Sequence, residues 1–168
     1  MVPAGGGVRP TADRVKESVF SALGARLESA RVLDLYAGTG ALAVEALSRG
    51  AAVAVLIERN REARAAIAAN LEATGMTDRA RVVGGDVATV LSGPPDAAGP
   101  FDLILVDPPY ELADEPLAQV LEGLRAGWLA PGATVVIERP AGATRPPGWV
   151  STWERCYGDT LVLFLQAE

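Results

Sequence analysis

Histidine is absent from this chain, and cysteine occurs once, as Cys156. The two absences exclude an internal disulfide framework, the usual transition-metal clusters and every histidine-dependent triad. No metal is expected, and the chemistry falls to carboxylates, backbone groups, aromatics or a bound cofactor. Long apolar runs are also missing: charges, prolines or glycines interrupt every stretch before the roughly 18 residues a membrane span needs. The N-terminus does not pair a basic start with an apolar core, so no secretory signal is read and a cytoplasmic protein is expected. Lysine occurs once, as Lys16, and the remaining basic residues are arginines.

What the chain does have is an apolar fraction of 49% in 168 residues. That length suits one domain with a well-filled core. The net charge of −6 argues against a surface evenly coated for nucleic acid. Its distribution is uneven. Up to residue 31, Arg9, Arg14, Lys16, Arg26 and Arg31 outnumber Asp13, Glu17 and Glu28, whereas the remainder is strongly acidic. A phosphate-facing patch is therefore expected around the N-terminal arm.

Residues 1–8 are rich in Gly and Pro and read as a flexible arm. A first helix follows, with Thr11 or Asp13 as its cap and Val15, Val19, Phe20, Leu23 and Leu27 on its apolar face. From Arg31 onward, apolar runs alternate with helical patterns. Strands are read at Arg31–Tyr36, Ala52–Glu58, Arg81–Val83, Phe101–Asp107 and Ala133–Glu138. A final hairpin, Trp149–Tyr157 with Thr160–Gln166, turns at Gly158-Asp159. This alternation implies an α/β fold, a doubly wound and mostly parallel sheet with an antiparallel C-terminal hairpin, seven strands in all.

The first strand runs into Asp34-Leu35-Tyr36-Ala37-Gly38-Thr39-Gly40-Ala41, a strand, tight turn and helix. Gly38 and Gly40 can take positive φ and carry no Cβ, so a ligand can lie against the backbone beside the helix N-terminus. Asp34, Tyr36, Glu58, Asp86 and Asp107 all fall at or near the carboxyl ends of the first four strands. A doubly wound sheet gathers such positions along one crevice. Glu58 lies about twenty residues beyond the glycines, as a carboxylate that grips a ribose diol does. This pattern alone leaves a nicotinamide dinucleotide and S-adenosylmethionine both open. Asp34 favours the second, because it would repel a pyrophosphate and can help hold the ammonium of a methionine moiety. Asp86 can accept from an adenine amino group. Ala37, Arg59 and Val87, next to these residues, complete the cofactor-binding set.

The most specific signal is Asp107-Pro108-Pro109-Tyr110. Each proline fixes φ, keeps the residue before it extended and removes an N–H donor, so the strand ends in a stiff hook. The Asp107 carboxylate and the Pro108 carbonyl can grip the hydrogens of an exocyclic amine, while Tyr110 offers a face for stacking. Such an amine is a poor nucleophile because its lone pair is delocalised into the ring. Two well-placed acceptors favour a pyramidal nitrogen and aim its lone pair at a sulfonium methyl.

Taken together, Asp34–Ala51, Arg9-Pro10-Thr11 with Asp13-Arg14-Val15, and Asp107–Tyr110 resemble the RsmD-like guanine-N2 methyltransferases of bacterial small-subunit ribosomal RNA. The resemblance covers nearly the whole chain. It implies a class I, Rossmann-like methyltransferase that uses S-adenosylmethionine. Gly38 and Gly40 would hold the methionine part, Glu58 the ribose, Asp86 the adenine, and Asp107–Tyr110 the target guanine. Arg9, Thr11 and Arg14 are then candidates for contact with ribosomal RNA or a small-subunit assembly intermediate. The family places a basic β-hairpin ahead of the Arg-Pro-Thr segment, whereas eight residues precede it here, so weakened RNA contact with intact cofactor binding is expected. Methylation of DNA adenine or of protein glutamine, and a non-catalytic cofactor-binding assembly factor, are the alternatives. No feature calls for an obligate dimer, and a monomer is expected.

Overall fold

The computed structural model describes residues 10–168, with side chains from residue 12 onward. Arg9, the arm of residues 1–8 and the Thr11 side chain lie outside the described residues. The first helix, α1 (Pro10–Leu23), starts on its proline. Proline at the first helical position is pre-set in φ and lacks an N–H that would have gone unpaired anyway. Thr11 and Asp13 therefore fall inside the first turn and are not the N-cap expected from the sequence. There the Asp13 charge still complements the helix dipole.

The alternation then proceeds as β1 (Arg31–Leu35), α2 (Ala41–Ser48), β2 (Val53–Glu58), α3 (Arg61–Ala73), β3 (Ala80–Gly84), α4 (Val87–Ser92), β4 (Phe101–Val106), α5 (Asp114–Leu124) and β5 (Leu129–Pro140). The chain closes with β6 (Trp149–Tyr157) and β7 (Thr160–Ala167). All seven strands form one sheet in the order β3-β2-β1-β4-β5-β7-β6. The first five pair in parallel, and β7 inserts antiparallel between β5 and β6. The fold class read from the sequence is the one observed.

Strand alternation splits the core between the two faces. Val32, Ala54, Leu56, Leu103, Leu105 and Val136 pack against Val19 and Phe20 of α1, Ala43 and Leu47 of α2, and Ile67 of α3. Leu33, Leu35, Val55, Ile57, Ile104, Val106 and Ile137 pack against Leu91 of α4, Leu117, Leu121 and Leu124 of α5, and Trp128. Each large apolar side chain buried this way contributes about 1.5–3 kcal/mol. Two-sided burial is the reason these strands read as continuous apolar runs rather than alternating ones.

The fifth strand begins earlier than its apolar run. Phe101 pairs with Leu129, but Leu103 pairs with Thr134, so the register slips between them. The slip is taken up on β5 at the exposed Pro131-Gly132, where Gly132 has φ +73°. A bulge of this kind hides the first part of a strand from a search for unbroken hydrophobicity.

Because β1 lies between β2 and β4, the chain winds in opposite senses on its two sides. The crevice beyond the carboxyl ends of these strands is where such a sheet receives a ligand.

Candidate active site

Asp34 sits on β1 between the fully buried Leu33 and Leu35, with 1% of its surface exposed. Its parity with Val32 turns it toward the face covered by α1, α2 and α3. Neither carboxylate oxygen has a hydrogen-bond partner among the described residues. Burial raises its pKa well above the usual carboxylate value. The N–H dipole of Ala43, in the first turn of α2, pulls the other way without bonding either oxygen, and the charges of Asp107 and Glu58 push it higher. The site therefore contains a buried acid that no group among the described residues bonds.

The turn after β1 is built to hold an unusual backbone. Tyr36 is one of two non-glycine residues with a positive φ among the described residues, at +59°. That conformation costs of order 1–2 kcal/mol for an ordinary residue. It also carries the ring across the sheet: strict alternation would leave Tyr36 with Val32 and Asp34, yet it packs against the cluster under α4 and α5. Burial raises the Tyr36 pKa, with Asp86 adding to the shift and Arg59 opposing it.

Gly38 and Gly40 have φ of +61° and +82°, as the sequence implied, but their missing side chains face different things. A Cβ on Gly38 would meet nothing within 4 Å, so this backbone is open to an approaching ligand. A Cβ on Gly40 would lie 3.2 Å from Leu56 and 3.3 Å from Ile67. Gly40 thus lets α2 and α3 close on the sheet, and the open backbone of the turn is that of Gly38.

Glu58, at the end of β2, ties two loops together. One oxygen accepts from the Gly38 N–H at 2.9 Å, and the other from the Asn60 N–H at 2.8 Å. Asn60 in turn caps α3, its side-chain oxygen accepting from Ala63 N–H at 2.9 Å. The side-chain amide of Asn70, further along α3, donates to the Thr39 carbonyl at 2.9 Å, so the glycine turn is held from two positions. Asp86, after β3, caps α4 through a 3.3 Å bond from the Thr89 N–H.

These strand ends open on one cavity of about 540 Å³. Of the residues singled out from the sequence, Tyr36, Glu58, Arg59, Asp86, Val87, Asp107, Pro108 and Pro109 line it. Asp34, Ala37, Gly38 and Gly40 do not line it; the glycine turn is tied to its wall through Glu58, and Asp34 is sealed beneath. Its far side is formed by Leu112 and by Pro116, Gln119 and Val120 of α5, which sequence reasoning missed because they read as ordinary helix positions. Arg14 is exposed on α1 and takes no part in the cavity.

Asp107-Pro108-Pro109-Tyr110 borders this cavity on one side and a smaller hollow on the other, the latter completed by Glu138, Arg139, Pro140 and Thr160. Tyr110 is 61% exposed, an unusual setting for an aromatic ring. Its hydroxyl donates to the Asp159 carbonyl at 3.0 Å, which braces the hook against the β6–β7 turn. Beneath the hook, the buried Arg139 donates to Asp114 at 3.1 Å and joins the end of β5 to the start of α5.

Glu138 is the charged residue the sequence reading passed over. Val106 pairs with Ile137, so Asp107 and Glu138 are the next neighbours across the parallel β4–β5 ladder. Asp107 has one flank open to the crevice, yet protein surrounds enough of its carboxyl that burial raises its pKa, while a hydrogen bond with Glu138 acts in the opposite direction. Glu138 is pushed up to about 7 by burial, by the charge of Asp107 and by that same bond. The two carboxyls therefore hold a proton to higher pH than separate carboxylates would. The signal that would have found it was present: Val135-Val136-Ile137-Glu138 ends in a carboxylate just as the earlier strands do.

Parallel strands in this order, a glycine turn after β1, a carboxylate after β2 and an acidic proline hook after β4 define a Rossmann-like methyltransferase. A family model described as "Conserved hypothetical protein 95" matches residues 1–166, and the chain belongs to that family. The Escherichia coli protein named ribosomal RNA small subunit methyltransferase D is 36% identical over 172 aligned residues, covering 99% of this chain and 83% of its own length. Its namesake in Haemophilus influenzae is 30% identical over 157 residues, covering 90% and 79%. Among solved structures, Escherichia coli yhhF superposes with a TM-score of 0.84 at 36% identity, covering 100% of this chain and 90% of that one. Thermus thermophilus TrmN, at 23% identity and a TM-score of 0.72, shares the fold.

Proposed function

We propose that this chain, as one domain over residues 1–168, uses S-adenosylmethionine to methylate the exocyclic N2 of a guanine in small-subunit ribosomal RNA. The observation that carries the proposal is the acidic proline hook, which stands between a nucleotide-sized cavity and an exposed tyrosine. The names of the full-length relatives support the ribosomal RNA assignment, and the residues that resemble the guanine-N2 family support the choice of atom.

The site fits the donor. Asp34 is a buried acid without a partner, suited to the ammonium of a methionine moiety, and Gly38 leaves its backbone open. Glu58 and Asp86 each retain acceptor capacity, for a ribose diol and for an adenine amine respectively. A cavity of about 540 Å³ falls within the ordinary range for a cofactor of this size. When bound, the group supplies an electrophilic methyl on a sulfonium centre.

The chain's own contribution is orientation. Asp107 and the Pro108 carbonyl accept the two N–H hydrogens of the target amine, and the prolines hold both acceptors in place before substrate arrives. As the nitrogen gains a methyl group it gives up one proton, which an Asp107 oxygen can accept. The Tyr110 ring supports the base, which must be unpaired to reach the hook; unstacking costs a few kcal/mol. A cytoplasmic, monomeric enzyme fits this task.

The decisive measurement uses Asp107→Asn. Its turnover on small-subunit ribosomal RNA from cells lacking the protein should fall by about 10²–10³-fold. Its affinity for S-adenosylhomocysteine should stay within about threefold of the parent. Nucleoside mass spectrometry of the parent reaction should find N2-methylguanosine. Methylated adenine in DNA, or a methylated protein, would replace the substrate assignment. Turnover by Asp107→Asn close to the parent's would remove Asp107 from the reaction.

A further inference from the structure

The carboxyl pair at the ends of β4 and β5 does more than the proposed reaction needs. One acceptor carboxylate suffices to grip an amine, yet a second acid stands beside it. The register that pairs Val106 with Ile137 makes Asp107 and Glu138 cross-strand neighbours. Both follow the parity of residues on the α1–α3 face, Leu105 for Asp107 and Val136 for Glu138. Both also line a narrow hollow under α1, walled by Lys16 and Val19 of that helix and Leu42 of α2. Neighbouring positions on the ladder and a shared hollow bring the two carboxyl groups together.

We propose that Glu138 is a positioning residue: its carboxylic acid donates a hydrogen bond to one oxygen of Asp107 and so aims the other oxygen at the substrate amine. The inference rests on the reading of Asp107 as the amine acceptor. Of the charged groups facing Glu138, the anionic Asp107 on β4 favours a neutral acid and the cation on α1 opposes it. Lys16 on α1 is the cation that lines the same hollow. The neighbouring Arg139 is engaged with Asp114 instead. With its pKa at about 7, Glu138 is mostly protonated below neutrality, half ionised at neutral pH and mostly ionised as the medium becomes alkaline. Loss of that proton removes the bond to Asp107 and sets two like charges side by side.

Two variants of the full chain separate this role from a structural one. Glu138→Gln keeps a donor of nearly the same shape. Its kcat at pH 7 should lie within about threefold of the parent, and the fall in kcat/KM above neutrality that the parent shows should disappear. Glu138→Ala should lose about 10–100-fold in kcat with little change in KM for RNA, because only the aim of Asp107 suffers. Calorimetric binding of S-adenosylhomocysteine, unchanged in both, certifies that the variants are folded.

A second readout needs no turnover. In the ¹³C-carboxyl NMR spectrum, one glutamate should titrate near pH 7, vanish in Glu138→Gln and move toward the ordinary range in Asp107→Asn. The proposal is overturned if Glu138→Ala turns over like the parent. It is equally overturned if Glu138→Gln is as slow as the alanine variant, or if its alkaline limb matches the parent's. Full turnover by Asp107→Asn would instead overturn the reading beneath it, while leaving the NMR titration intact.

Discussion

Replacing Asp34 with asparagine should stabilise the cofactor-free protein and weaken its hold on the cofactor. The carboxyl is 1% exposed, has no hydrogen-bond partner among the described residues, and has a pKa raised well above its ordinary value, chiefly by burial. A folded-state pKa above the unfolded one means that the folded protein holds the proton longer. Stability is then lost as pH rises from the unfolded value, near 3.9, through the folded one. Each unit of that shift, up to the pH of the assay, corresponds to about 1.4 kcal/mol. Asparagine removes the ionisation but keeps an unpaired polar group in the same place, so part of the burial cost remains. A net gain of about 1–3 kcal/mol at pH 7–8 is expected. For a chain of this size that raises Tm by roughly 2–12 °C. The advantage should shrink toward zero below about pH 3, where Asp34 is protonated in both states. Binding should move the opposite way. Losing a charge-assisted bond to an ammonium costs about 1.5–3 kcal/mol, or roughly 10–100-fold in Kd for S-adenosylhomocysteine. Urea unfolding at several pH values, paired with calorimetry, tests both halves. A variant no more stable than the parent at pH 8, or one that binds as tightly, refutes the assignment of Asp34.

The two glycines of the turn should separate in the same pair of assays. Gly40→Ala places a methyl 3.2 Å from Leu56 at φ +82°, and should lose about 2–4 kcal/mol in urea unfolding. Gly38→Ala meets open space at φ +61°, so it should lose only about 1–2 kcal/mol of stability while its cofactor affinity falls by more than that. Tyr110→Ala should leave cofactor affinity unchanged and raise KM for RNA by about 5–100-fold through lost stacking, measured by initial rates. Tyr110→Phe keeps the ring but loses the bond to the Asp159 carbonyl, and should fall between the two.

Four of the five parallel strands, β1, β2, β4 and β5, were legible because each is covered on both faces and reads as an apolar run that stops at a polar residue, while the half-exposed edge strand β3 was read from its short Val82-Val83 run. The same logic located the crevice, since the fold places strand ends together regardless of what covers them. What stayed hidden depends on three-dimensional neighbours. Leu129–Ala130 belong to β5 only because a bulge at Pro131-Gly132 lets the strand resume pairing. The task of Gly40 is set by Leu56 and Ile67, from the next strand and helix. Tyr36 crosses the sheet because one φ is positive, and no period in the sequence records that. Glu138 could have been found from the strand-end pattern, but its contact with Asp107 needs the β4–β5 register, which sequence does not print.

The β6–β7 turn at Gly158-Asp159 has the features protein engineers seek for grafting a tag or an epitope: a glycine tip, exposure and distance from the sheet's crevice in sequence. The bond from Tyr110 changes that judgement. A backbone oxygen at the tip serves as an anchor for the hook, so lengthening this turn would slacken a guy-line to the reaction centre even though the sheet stayed whole. Peptides are better accommodated in the loop of residues 93–100, which enters β4 at the end opposite the hook.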